Sequence, residues 1–480
     1  MVEIINYLLY LIISIFIVNR FLTFFQQNHY HLNFYLNSYK YFHYYDLLLF
    51  GSLIQNLIVK YLLLLFYFIM LIKEKYIVKL KITARIKRIY IILLMLIIIH
   101  IVFLESNYFL ILNFIYLYIS ILIAIPIEKS IGLYYLKKAK EKLKKINPLN
   151  IVITGSAGKT SVKNYLYEIL SKKHITFMTP LSYNTPLGIA RSINETMNVK
   201  TEVAIFEFGA SHKNDISKLL KIVKPNIGII TNILPQHLKT FKKIENVFNE
   251  KLKLFKNSDI CIYNSDVISP IVDKEKKVIT ISKQKIAKYK LSDVEMFKEE
   301  TTFKINNYFF KTKLLGECNV DNIILAIITA RELGFSNEEI KDIIYNIKPV
   351  ENRLEVKIIN HNDRKIVIIN DSFNSNVNGF KNALNILNDY HNKKAVITPG
   401  IMECGKKSKD INYKVGDFLK KSNAYVYIIK NKESKYIEES FAADEYTNYI
   451  VYDKFIDAYN DALKKFDVIL IENDISDIYK

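Results

Sequence analysis

The stretch Ile151-Val152-Ile153-Thr154-Gly155-Ser156-Ala157-Gly158-Lys159-Thr160 decides how the 480-residue chain is read. A β-branched run ends at Thr154, two glycines permit a tight loop, and a helical pattern starts near Lys159. Backbone N–H groups at such a helix start cradle phosphate oxygens. A lysine there reaches the terminal phosphates, and a following hydroxyl ligates Mg²⁺. Ile153 stands where the strict GxxxxGK[ST] pattern has its first glycine, so what remains is a shorter GxxGKT loop. The expected nucleotide contacts are Gly155, Ser156, Ala157, Gly158, Lys159, Thr160 and Ser161.

Outward from this loop, short apolar runs alternate with helical patterns: VAIFEFGA (203–210) and NIGIITNI (226–233), then KIVIIND (365–371), KAVITPG (394–400), AYVYIIKN (424–431) and DVILIEND (467–474). The alternation predicts an α/β fold with largely parallel sheets wrapped by helices. A hairpin-like segment at 301–315 and helices at 320–333 and 337–347 close a first unit, with a boundary near Pro349.

The first 126 residues have another texture. Apolar stretches at 4–18, 47–72, 89–104 and 108–125 approach or exceed the length of a spanning helix, so a four-helix membrane region is expected. Seven lysines and arginines in 73–88, and seven lysines in 129–145, orient both segments to the cytoplasm. The loop at 26–45 is then expected outside, with both termini inside. The segment 127–145 reads as a basic helix on the inner membrane surface. The division is 1–126 membrane, 127–147 basic helix, 148–350 central domain and 351–480 C-terminal domain.

The formal net charge of +20 comes from 67 Lys+Arg against 47 Asp+Glu. The lysines are scattered and densest beside apolar segments, so no nucleic-acid partner is expected. Cys261, Cys318 and Cys404 lie far apart and form no CxxC pair, which argues against a disulfide framework or a cysteine zinc site.

The ordered series GSAGKTS, SYNTPLG (182–188), FEFGA, TNILPQHL, NEKLKLF, GECNVDN (316–322), VENRLEV (350–356) and INDSFNSN (369–376) resembles the Mur ligases, ATP-dependent enzymes that extend the peptidoglycan stem peptide. SYNTPLG is most like the branch that adds D-alanyl-D-alanine. The resemblance implies a P-loop ATPase-like central domain and a Rossmann-like C-terminal domain. It assigns Glu207, His237, Lys251 and Thr160 to two Mg²⁺ ions, with Lys251 carbamylated, and makes Lys159, Glu207, His237 and Lys251 the catalytic set. Asn319 and Asn322 are expected at adenine, Arg353 at the ATP phosphates, and Asp371 at the ribose. Asn184, Thr185, Asn374 and Asn376 are expected at substrate. The implied partners are a cell-wall precursor peptide and a dipeptide or amino-acid amine. The implied location is the inner membrane, multi-pass, with the catalytic domains in the cytoplasm. A lipid-linked acceptor, a nucleotide-binding membrane scaffold and an ATP-driven transporter are the rival readings; against the transporter, the chain shows no transporter signature and its phosphate loop is of the ligase kind.

Overall fold

A computed structural model describes residues 2–27, 30, 32, 80–103, 109–234, 238–297, 300–373, 376–402 and 404–473. The second apolar stretch (47–72) and two expected site residues, His237 and Asn374, lie outside these. The chain divides into two compact units, one running to Tyr134 and the other from Tyr135 onward.

The first unit contains α1 (Val2–Gln27), α2 (Ala84–Phe103) and the first part of α3 (Phe109–Ile146). Phe21, Leu22, Phe25, Ile86, Ile89, Leu117 and Ile121 form its core. Among the described residues, one helical segment, Ile115–Ile146, is long and apolar enough to cross a membrane. The four expected spans thus stand at one among these residues. The expected topology also changes. Gln26 brackets the backbone of Lys81, donating to its carbonyl and accepting from its N–H, both at 2.9 Å. Arg85 lies 4.4 Å over the Tyr30 ring. The end of α1 and the start of α2 are therefore in contact, whereas the sequence reading expected 26–45 and 73–88 on opposite sides of a membrane. The amide of Gln26 satisfies both backbone groups of Lys81, a polar demand that hydropathy does not register. Glu128 joins this end, paired with Arg85 at 3.1 Å and Arg88 at 2.5 Å.

The division expected at residue 127 falls inside one helix, since α3 runs on through Pro126 to Ile146. Nor is its basic end free to lie on a surface by its apolar stripe. Leu136, Ala139, Leu143 and Ile146, spaced by threes and fours along one face, join the core of the second unit.

That unit holds two sheets. The strands β1 (Leu149–Thr154), β2 (Thr176–Met178), β3 (Val203–Glu207), β4 (Ile227–Ile230), β5 (Ile260–Asn264), β6 (Lys277–Ser282), β7 (Tyr289–Met296), β8 (Thr301–Ile305) and β9 (Tyr308–Thr312) form one in the order β2-β3-β1-β4-β5-β6-β7-β8-β9. It is parallel as far as β7, and β8 and β9 close it as an antiparallel hairpin. The helices α4 (Lys159–Leu170), α5 (Pro186–Thr196), α6 (Asp215–Leu220), α7 (Leu238–Phe241), α8 (Ile244–Asn257), α9 (Glu317–Glu332) and α10 (Asn337–Asn346) accompany it. β1 is buried on both faces: Ile151 and Ile153 face one core cluster, while Val152 faces the other. α4 and α9 pack on the first face; α5, α6, α8 and the end of α3 pack on the second.

The strands β10 (Glu355–His361), β11 (Arg364–Asp371), β12 (Lys394–Thr398), β13 (Tyr425–Ile429), β14 (Tyr449–Tyr452) and β15 (Val468–Glu472) make the second sheet, ordered β10-β11-β15-β12-β13-β14. Only β10 and β11 pair antiparallel. The helices α11 (Val377–Asn388), α12 (Ser408–Lys420), α13 (Lys435–Ala443) and α14 (Phe455–Lys465) complete the layers.

Candidate active site at the β1 switch point

In an open parallel sheet, ligands bind beyond the carboxyl ends of the strands, where the strand order reverses. Here the reversal is at β1, which has β3 on one side and β4 on the other. Thr154 ends β1, Glu207 ends β3, and Thr231 follows β4, so the register delivers all three to one crevice.

The phosphate loop spans that crevice. Gly158 has φ 80, and a β-carbon there would meet Asn322 Oδ1 at 2.1 Å; Gly155 is pressed as closely against Thr231. A side chain at either position would be strained and would force its neighbour to move. Asn232 fastens the loop, its carbonyl accepting from Ser156 N at 2.9 Å and its side chain accepting from Ala157 N at 2.8 Å. Ser156 adds a hydroxyl link to the backbone of Leu234. Lys159 Nζ folds back to donate to the carbonyls of Gly155 at 2.9 Å and Ser156 at 3.3 Å. Burial holds the Lys159 ammonium below the usual lysine range.

Thr160 and Ser161 are buried on the first turn of α4. The Thr160 hydroxyl donates to Glu207 Oε2 at 2.9 Å. Asn184 donates to the other oxygen, Oε1, at 3.1 Å. Lys163, also on α4, places Nζ 3.6 Å from Oε2. Lys251 is buried on α8, and its Nζ donates to Gly155 O at 2.9 Å. Burial, reinforced by the charge of nearby Lys159, holds the Lys251 amine well below an ordinary lysine. Arg353 arrives from the segment that leads into the second sheet. Its Nη2 donates to Thr160 Oγ1 at 3.2 Å, and its guanidinium lies 4.2 Å over the Phe373 ring.

Lys159, Thr160, Ser161, Glu207, Lys251, Asn184 and Arg353 therefore converge. Other expected residues do different work. Thr185 caps α5 by accepting from Gly188 N at 3.3 Å. Asn376 caps α11, its Oδ1 accepting from Asn378 N and Gly379 N. Asn319 faces inward: its Oδ1 accepts from Tyr165 O–H at 2.9 Å, and its Nδ2 donates to Leu315 O at 3.0 Å. Asn322 abuts Gly158 rather than open space. Asp371 accepts from Leu354 N at 3.1 Å, and burial pushes its carboxyl up to about 6. Gly316 and Glu317, at the start of α9, line a cavity of about 340 Å³ with Asn382 and Ile386 of α11.

Thr160 and Glu207 are hard oxygen donors side by side, a pair that fits Mg²⁺. Lys251 as a free amine does not fit a cation; as a carbamate it does. Among the described residues, no group of three or more His, Cys, Asp and Glu side chains gathers as a metal cluster.

Residues 153–330 match the family model described as the Mur ligase middle domain. The centre of this chain is similar to a Mur ligase middle domain. The UDP-N-acetylmuramoyl-tripeptide–D-alanyl-D-alanine ligase of Borreliella burgdorferi is 31% identical over 53% of this chain and 56% of that protein. The enzyme of the same name from Buchnera aphidicola subsp. Baizongia pistaciae is 30% identical over 61% of this chain and 65% of its own length. The chain thus spans less than two thirds of either relative. Among solved structures, MurF from Acinetobacter baumannii superposes with a TM-score of 0.61 at 20% identity, over 71% of this chain and 77% of that one. MurF from Thermotoga maritima in complex with ADP gives 0.61 at 23% identity, over 71% and 80%. These likenesses establish the fold around the Mur ligase middle domain.

Two residues of the crevice were given no role from the sequence. Asn232 lies within TNILPQHL, and Lys163 is one lysine among many. The spacing of Lys163 from Lys159, one helical turn, puts both on one face of α4 and was the available clue.

Proposed function

We propose that the chain is an ATP-dependent carboxylate–amine ligase of peptidoglycan precursor synthesis, joining D-alanyl-D-alanine to UDP-N-acetylmuramoyl-tripeptide. The observation that carries this reading is the convergence of Lys159, Thr160, Glu207, Lys251 and Arg353 at the switch point of the first sheet. The names of these two curated relatives agree with it.

A carboxylate is a poor acyl donor because its leaving group would be oxide. Attack of its oxygen on the γ-phosphorus of ATP releases ADP and leaves an acyl phosphate. The amine nitrogen then attacks the carbonyl carbon; collapse of the tetrahedral adduct expels phosphate, and the amine proton leaves to solvent. Lys159 and Arg353 offset the charge that builds on the transferred phosphoryl group. Thr160 and Glu207 would hold Mg²⁺, which supplies charge neutralisation at the ATP phosphates. A second ion would rest on His237 and on Lys251 once its neutral amine has added CO₂ to form a carbamate. Arg353 and Asp371 come from the side of the second sheet, so closure would complete the site and exclude water. Retention of this whole set argues against a scaffold.

We place the first unit in the inner membrane, with the polar end built from Gln26, Lys81, Arg85, Arg88 and Glu128 on the cytoplasmic side together with the ligase. The apolar segment Ile115–Ile146 and the cationic runs support this. A lipid-linked precursor is the second reading for the carboxylate substrate. It is favoured by α3, which runs unbroken from apolar sequence into the core beside α5, the helix capped by Thr185.

The test is mass spectrometry of products from the detergent-solubilised full chain given ATP, Mg²⁺, UDP-N-acetylmuramoyl-tripeptide and D-alanyl-D-alanine. A pentapeptide product is expected. Its absence, with product formed from the lipid-linked precursor instead, selects the second reading. Absence of both from protein that binds ATP overturns the ligase.

A further inference from the structure

Lys163 is 1% exposed, and the mechanism above does not use it. Its ammonium touches two different parts of the crevice. It lies 3.6 Å from Glu207 Oε2, and it donates to the carbonyl of Leu181. Leu181 opens the loop that continues through Tyr183 and Asn184 to the cap of α5. Its backbone is left-handed, φ 48, although its side chain is 77% exposed and makes no demand for that shape. A non-glycine residue seldom holds this conformation unless something fixes it. Two contacts hold it here: the turn hydrogen bond from Tyr183 N to the Pro180 carbonyl at 3.2 Å, and the buried ammonium that donates to the Leu181 carbonyl.

The far part of the loop is tied to the same carboxylate. Asn184 donates to Glu207 Oε1 at 3.1 Å, and its own carbonyl accepts from Gly209 N at 3.0 Å. The two oxygens of Glu207 thus divide the loop between them, Asn184 on Oε1 and, through Lys163, Leu181 on Oε2. A buried cation is tolerated only when paired and hydrogen-bonded. Lys163 meets both conditions only while loop and carboxylate stay where they are.

We propose that Lys163 is a positioning residue that clamps the 181–188 loop to Glu207 and so presets the binding surface for the carboxylate substrate. The identity of that substrate rests on the ligase reading; the clamp itself does not. Removing the ammonium frees the Leu181 end while leaving the phosphate loop, held by Asn232, intact.

The experiment pairs hydrogen–deuterium exchange of the ligand-free full chain with steady-state kinetics. In Lys163→Met, amides at 181–188 exchange at least tenfold faster, while those of β1 and β3 are unchanged. KM for the carboxylate substrate rises about tenfold, and ATP affinity stays within twofold. Lys163→Arg, which keeps charge and donor, recovers both readouts. Unchanged exchange at 181–188 in a folded Lys163→Met overturns the clamp, as does an equal loss of substrate and ATP affinity. Should Lys163→Met fail to fold with Glu207 left unpaired, Lys163→Met/Glu207→Gln is compared with Glu207→Gln alone. Equal exchange of the loop in those two proteins also overturns it. If the wild-type chain makes no pentapeptide, the ligase reading fails, and the exchange arm still decides the clamp.

Discussion

Arg353 Nη2 donates to Thr160 Oγ1 at 3.2 Å across 193 residues of sequence. One end of this link is the lead-in to the second sheet; the other is the first turn of the phosphate-loop helix. Arg353→Ala should therefore leave both sheets folded, with an unchanged circular dichroism spectrum, and lower kcat by about 10²-fold, the scale of one lost charge-stabilising donor. Arg353→Lys should recover little, because an ammonium cannot lie over the Phe373 ring and reach Thr160 with the same planar fork.

Lys159→Ala removes the cation that folds over the loop carbonyls. Turnover should fall by about 10³-fold or more without loss of thermal stability, since a buried ammonium is costly to keep. A folded variant with normal phosphate release would contradict the assigned site.

At Gly158, a methyl group meets Asn322 Oδ1, and φ 80 is a strained value for any L-residue. Gly158→Ala should cost about 1–2 kcal/mol from the backbone alone and more from the contact. Isothermal titration should show nucleotide binding lost before global unfolding is reached.

Asn319 and Tyr165 make a buried pair between α9 and α4. Asn319→Leu should destabilise the protein by about 1–3 kcal/mol by leaving the Tyr165 hydroxyl unpaired. The double variant with Tyr165→Phe should be less harmful than the sum of the two singles. A rise in KM for ATP with unchanged stability would instead mark Asn319 as an adenine contact.

Lys251 has its amine value depressed by burial, reinforced by Lys159. At any pH below the ordinary lysine range, more of it is neutral than of a free lysine, and only the neutral form adds CO₂. Activity should fall as pH drops through the depressed value, where the amine takes up a proton, and should hold above it. Depleting CO₂ should lower activity, bicarbonate should restore it, and ¹³C-bicarbonate should give a carbamate resonance that Lys251→Ala lacks.

How far the sequence could be read depends on what each feature demands locally. The loop from Gly155 to Thr160 was legible because a strand end, two glycines and a helix start must be contiguous. The alternation of strands was legible because parallel strands buried on both faces need unbroken apolar runs, as in β1 and β15. The contact of Asn319 with Tyr165 was not legible, because its helical spacing from Asn322 says which residues share a face and nothing about what that face meets. The cap made by Asn376 was not legible because a capping asparagine and a substrate asparagine look alike before the helix is in place. Gln26 and Lys81 were assigned to opposite sides because spans counted by hydropathy fix parity, whereas one bidentate amide fixes contact.

The stripe Leu136, Ala139, Leu143 and Ile146 belongs to the same core as Val152 and Phe206. A truncated protein starting at the first strand would therefore open a hydrophobic trench along α5 and aggregate. The shortest folded fragment of the second unit should begin upstream of Leu136, inside the segment that the sequence alone presents as a basic helix on the inner membrane surface.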